Sequence, residues 1–146
     1  MNTFYDALET RSPQAREAAL MAALPGQIAH AQHHSAAFAS ILAGTDAASV
    51  SSREALARLP VTRKYELLER QQAARASANG NGANAGNVFG GFSALDFGHA
   101  MRRVFASPGT IYEPEGTRAD YWRMARTRYA AGFRAGDLIH NSCSYH

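Results

Sequence analysis

The run Asn79-Gly80-Asn81-Gly82-Ala83-Asn84-Ala85-Gly86-Asn87 constrains this chain more than any other segment. It has no apolar side chain larger than alanine, so it has nothing to place in a core. Residues 75–91 are therefore expected to form a flexible Gly/Asn-rich surface loop. That loop separates a helix-patterned segment, residues 1–74, from a mixed α/β segment, residues 92–146.

The first segment carries helix punctuation. Ser12-Pro13 is a start signal, with serine as N-cap and proline at the first helical position. Ala18, Leu20, Met21 and Leu24 supply an apolar face, and Pro25 is expected to break or restart the helix. Ile28, Ala31 and His34 continue in a second helix. Ser35 caps a third, which carries Phe38, Ile41 and Leu42 and stops at Gly44. Ser51 to Glu54 reads as a capping box opening a short helix that Pro60 ends. Thr62 is expected to cap a further helix to about Gln72, with Leu67 and Leu68 buried.

The second segment reads as strand, helix, strand. Arg102 to Ala106 has strand character. Thr117 is expected to cap a helix, with Asp120 near its positive end. Tyr121, Trp122, Ala125, Tyr129 and Phe133 share one face of that helix and are expected to pack on a sheet. Asp137 to Ser142 would be the second strand. Such a run makes parallel strands with a right-handed crossover. Ligands of open α/β sheets bind beyond the carboxyl ends of the strands. Ser107-Pro108-Gly109-Thr110 and Ser142-Cys143-Ser144-Tyr145-His146 both lie at such ends.

Composition narrows the function classes. The net charge is +3, and Lys64 is the single lysine. Arginines are scattered from Arg11 to Arg134 among acids, not gathered on one face, so no nucleic-acid partner is expected. No run approaches the roughly 20 apolar residues of a membrane span, and the N-terminus has no signal-peptide pattern. One cysteine, Cys143, excludes an internal disulfide, and a cytoplasmic protein is expected. His30, His33 and His34 have helical spacing that could face a metal, but no Cys or acid nearby completes a ligand set. Cys143 with His140 could pair as thiol and base, yet an extended strand points them to opposite faces. Neither group is taken as a site.

Small residues in the Ser107–Thr110 turn let backbone N–H groups and hydroxyls converge on an anion. Three segments then share a resemblance. Leu59-Pro60-Val61-Thr62-Arg63-Lys64-Tyr65-Glu66-Leu67 is similar to a Leu-Pro-Phe-Thr-Thr-Lys-x-x-Leu pattern. The stretch Ser107 to Pro114 resembles a Ser-Ser-Gly-Thr-Thr-Gly-Lys-Pro phosphate loop. Ala130 to Asn141 resembles Ala-x-Gly-x-Arg-x-Gly-Asp-x-Val-x-Asn. These are patterns of the phenylacetate–CoA ligase-like branch of the adenylate-forming acyl-CoA synthetases. The fold implied is an N-terminal helical segment followed by the first β-α-β unit of a ligase N-domain, apparently truncated.

The activity implied is carboxylate adenylation by Mg-ATP with release of pyrophosphate, then thioester formation as the thiol of CoA displaces AMP. The acid implied is an aryl acid such as phenylacetate. Ser107, Gly109 and Thr110 take the ATP phosphate-binding positions, and Tyr145 takes the position of an aromatic near the acid pocket. ATP, Mg2+ and CoA are implied for a full-length ligase, with none expected to bind tightly to this chain alone. The departures are Pro108, Ile111, Tyr112 and Glu113, the last placing a negative charge where the family loop has lysine. The alternative is a non-catalytic protein of the same fold that binds a small ligand or a partner. The strand at Leu138-Ile139-His140 would leave an uncovered sheet edge and a route to self-association.

Overall fold

The computed structural model describes residues 3–77, 88–140 and 142. The fold is mixed α/β: five α-helices and one two-stranded sheet among the described residues.

Helix α1 spans Pro13–His34 and opens as its sequence dictates, with the Ser12 hydroxyl accepting from the Ala15 amide. It runs unbroken through Pro25, which corrects the expected break. Pro25 removes one helical hydrogen bond. Packing of the following turns against the next elements outweighs that loss. Ile28 on this half is buried with Leu42 and Val50, and Leu24, Ala31, Phe38, Ile41 and Leu59 close around them. Helix α2, Ala36–Ile41, is capped by Ser35 as expected.

Helix α3, Arg53–Ala57, is capped by Ser52, one residue later than the expected Ser51 box. Helix α4, Lys64–Ser77, extends beyond the expected end at Gln72. Its first turn is closed by Glu66, whose carboxylate accepts from the Arg63 amide at 2.8 Å.

The expected loop of residues 75–91 divides three ways. Its start is helical through Ser77, residues 78–87 lie outside the described residues, and its end is packed. Phe89 is buried. The Gly91 carbonyl accepts from the Ala37 amide at 3.0 Å and from the Ser35 hydroxyl at 2.8 Å. Gly90 has φ +61°, and a Cβ there would stand 2.8 Å from the Gln71 backbone nitrogen. Only glycine allows this approach to α4.

Strands β1, Met101–Ser107, and β2, Ile111–Gly116, form an antiparallel hairpin with Ser107 opposite Ile111. The register shifts at Arg102, a bulge between the Met101 and Arg103 pairs. This hairpin replaces the expected parallel strand–helix–strand unit. Pro108 and Gly109, the latter at φ +95°, form the centre of a tight turn that sends the chain straight back. Ile111 and Tyr112 then suit a strand. The expected helix from Thr117 shrinks to α5, Ala125–Ala130, because Asp120 and Arg123 take left-handed backbone conformations. Asp120 still meets the positive end of that helix, accepting from the Ala125 amide at 3.0 Å. Asp137–His140 forms no strand, and Leu138 is fully exposed. The sheet edge proposed there for self-association is therefore not formed.

The hairpin is fixed to α4 by Gln71, which is 1% exposed. Its side-chain nitrogen donates to the Tyr112 carbonyl at 3.0 Å, and its side-chain oxygen accepts from the Tyr112 amide at 2.8 Å. Arg75 adds a bond to the Thr110 carbonyl at 3.2 Å. Replacing Gln71→Leu leaves both Tyr112 backbone groups unpaired, which costs about 1–3 kcal/mol. Urea denaturation should show that loss. Gln72→Leu, on the exposed face, should stay within about 0.5 kcal/mol.

Candidate functional site

The Ser107–Thr110 turn is closed on itself. The Thr110 amide donates to the Ser107 carbonyl at 2.9 Å, and Pro108 has no amide hydrogen. The Ser107 hydroxyl lies 3.4 Å from the Ile111 carbonyl. Thr110 has φ +66° and Gly109 φ +95°. Of the three named phosphate-binding residues, Thr110 has its backbone N–H consumed by the turn. The backbone cradle implied by the resemblance is thus reduced, and the basic side chains come from a different element.

Those side chains are at the start of α4. Thr62, Arg63, Lys64 and Leu67 line a cleft of about 530 Å³ whose other wall carries Ser107, Ile111 and Glu113. Lys64 and Arg63 therefore face the hairpin, and the first-turn amides of α4 give that end a partial positive charge. Glu113 lies in the same cleft and forms no ion pair among the described residues.

A second cleft, of about 640 Å³, shares Leu67, Phe92, Ile111 and Glu113 with the first. Its remaining wall includes the aromatic residues Phe89, Tyr112, Tyr121 and Trp122, beside Leu95, Pro114 and Arg118. The Trp122 indole N–H donates to the Glu115 carboxylate at 2.7 Å, and Arg103 binds the other oxygen of that carboxylate at 2.7 Å. The Trp122 ring meets Phe105 and Tyr121 edge-on at centroid distances of 6.1 and 5.2 Å. Tyr121 also packs over Gly116, where a Cβ would approach its ring to 2.8 Å.

Glu115 is 4% exposed. The hydrogen bond from Arg103, followed by that from Trp122, outweighs its burial and holds its carboxyl below the usual glutamate range.

The other expected residues fall elsewhere. Tyr129 pairs with Tyr5 at 5.7 Å, and the Arg134 guanidinium lies 3.6 Å from its ring centre. Phe133 is 40% exposed. The predicted aromatic face is thus split between the hairpin and the N-terminal segment. In the third family-like segment, the Asp137 carboxylate accepts from the Arg134 amide at 2.7 Å, away from both clefts. His30 and His34 stack at 4.5 Å, and no group of three or more potential metal ligands occurs among the described residues. Tyr145, Cys143 and His146 lie outside the described residues. No helix is long and apolar enough to cross a membrane among the described residues.

Sequence reading gave no role to Gln71 or Arg118, which lines the aromatic cleft. Gln71 has a sequence signal: it follows Leu67 by one helical turn and so shares the inward face of α4. Arg118 has none, since it lies past the end of β2 and outside any regular element.

The Glu115 contacts set a pH dependence. Its folded pKa is depressed, so the stabilisation is complete above the unfolded value of about 4.3 and fades as pH falls through the folded value. Urea midpoints read from Trp122 fluorescence should decline in that acid range. The decline should be shallower in Glu115→Gln, which cannot ionise. An equally steep decline would assign it to the other acids with depressed values, Asp6, Glu17 and Glu54.

Comparison with protein-family models, with characterised proteins and with solved structures gives no match.

Proposed function

We propose that this chain is the N-terminal portion of an ATP-dependent acid–CoA ligase, acting on an aryl acid such as phenylacetate. The observation that supports this most is a convergence. Two of the three family-like segments, distant in sequence, line one cleft: Thr62, Arg63 and Lys64 on one wall, Ser107 and Glu113 on the other. In this reading Lys64 and Arg63 hold the ATP phosphates by charge, and the Thr62 and Ser107 hydroxyls orient them. Lys64 does from α4 what the family's loop lysine does from the turn.

Glu113 opposes the phosphates. At an effective dielectric near 20, a unit charge about 4 Å away is worth on the order of 4 kcal/mol before screening. Solvent and salt reduce that to about 1 kcal/mol at an exposed site. The ligase chemistry beyond phosphate binding belongs in this reading to a full-length enzyme. That chemistry comprises attack of the acid on the α-phosphorus and displacement of AMP by the CoA thiol.

Calorimetric titration with Mg-ATP at low and moderate salt tests the reading. ATP should bind weakly. Lys64→Gln should weaken it several-fold, Glu113→Lys should tighten it several-fold, and added salt should shrink both effects. Affinity that ignores both substitutions would remove the phosphates from this cleft and the ligase reading with them.

A further inference from the structure

Trp122 is 48% exposed, although its indole N–H is held by the buried Glu115 carboxylate. A large aromatic surface is thus fixed in place and left uncovered in the second cleft. The Tyr121 ring meets it at an interplanar angle of 82°, so the two rings form a corner. A flat ring seated there can lie parallel to one and edge-on to the other, and both arrangements are favourable. The wall also carries Glu113 and Arg118, and neither forms an ion pair among the described residues. The Arg118 guanidinium is 5.7 Å from the Tyr121 ring centre, so it stands beside that corner. Glu113 lies instead on the wall shared with the Lys64 cleft. The Gln71 amide is consumed by Tyr112 and is not free for a ligand, and the His30 ring lies against His34.

We propose that this cleft is the aryl-acid subsite, with the ring of phenylacetate in the Tyr121–Trp122 corner and its carboxylate on Arg118. The substrate class rests on the ligase reading; the residues and the orientation come from the cleft. A planar guanidinium holds a carboxylate through two parallel hydrogen bonds. Glu113 reinforces that orientation. Its charge repels a carboxylate from the shared wall, so an acid with one charge enters with that charge toward Arg118. The acid needs one contact with Arg118 and none with Glu113. The resemblance gives Tyr145 the place near the acid. Here Tyr121 and Trp122 select an aromatic acid over an alkyl one, and Arg118 selects an acid over a neutral aromatic. Because the two clefts share Leu67, Phe92 and Ile111, acid and nucleotide would bind side by side.

Trp122 is the only tryptophan, so its fluorescence reports this cleft alone. The chain is titrated, without ATP, with phenylacetate, phenylacetamide and acetate, exciting where the phenyl group does not absorb. Phenylacetate should change the Trp122 emission and bind tighter than the neutral amide. Acetate, which has no ring, should give no response at the same concentrations. Arg118 is exposed, so its charge is worth about two- to fivefold in affinity. Arg118→Gln should weaken phenylacetate by that factor and spare phenylacetamide. Glu113→Gln should change phenylacetate by less than about twofold, because the carboxylate points away from it. No phenylacetate response from Trp122, an amide that binds as tightly as the acid, or no effect of Arg118→Gln would each overturn the proposal. Phenylacetate tightened more by Glu113→Gln than it is weakened by Arg118→Gln would put the carboxylate at the shared wall and overturn it too. Mg-ATP binding that still depends on Lys64 after such a result would leave the ligase reading standing. Phenylacetate binding through Arg118 in a chain that ignores ATP would keep the subsite and remove the ligase reading.

Discussion

A buried side-chain amide docks the hairpin on α4. Gln71 presents one donor and one acceptor to the N–H and C=O of Tyr112, much as a neighbouring strand would. An isolated two-stranded hairpin is marginal in water and needs a packed face to persist. Gln71 supplies the register for that packing, and Ile111, buried at 6% exposure, adds to the apolar contact beside it. A buried amide that lost these partners would cost more than the bonds contribute, because its desolvation would stay unpaid. Both clefts depend on this joint. Leu67 of α4 and Ile111 and Glu113 of β2 line each of them, so a hairpin docked elsewhere would leave neither.

The charged residues divide by job. Arginine forms the three ion pairs among the described residues: with Glu17 from α3, with Glu115 across the hairpin, and with Asp6 from α5. Its planar fork suits carboxylates held in fixed positions. The Arg126–Asp6 pair ties the N-terminal turn to α5, although 120 positions separate the two. Such exposed pairs contribute little energy but restrict geometry. Glu115 differs because it is buried and serves two donors. It fixes Trp122 and thereby one wall of the aromatic cleft. The sole lysine, Lys64, stands apart from these pairs and lines the other cleft.

The two clefts share an apolar wall of Leu67, Phe92 and Ile111. To it one adds Thr62, Arg63, Lys64 and Ser107, and the other adds Phe89, Tyr112, Tyr121, Trp122 and Arg118. Glu113 belongs to both. In the proposed ligase reading it is a charge that opposes the ATP phosphates. A ligand that placed an anion in the first cleft and a ring in the second would pass this carboxylate on the way.

The sequence by itself determined the local structure wherever a nearby residue closes a nearby backbone group. Ser12 and Ser35 start their helices as read. Glu66 closes the first turn of α4 within three residues. Tertiary structure decided what depends on distant partners. Pro25 stays inside α1 because Ile28 is buried against Leu42 and Val50. The Ser107–Thr110 turn was legible as a turn. The direction of the returning strand was not, because Ile111–Gly116 gains its pairing from β1 and its cover from Gln71. The aromatic residues from Tyr121 to Phe133 have one helical spacing, yet left-handed backbone at Asp120 and Arg123 divides them between two surfaces. Residue type placed charge and aromaticity in the right segments. Only the docking of the hairpin on α4 brought Lys64, Glu113, Arg118 and Trp122 to neighbouring clefts, because contacts between distant segments are fixed by packing and carry no local periodicity.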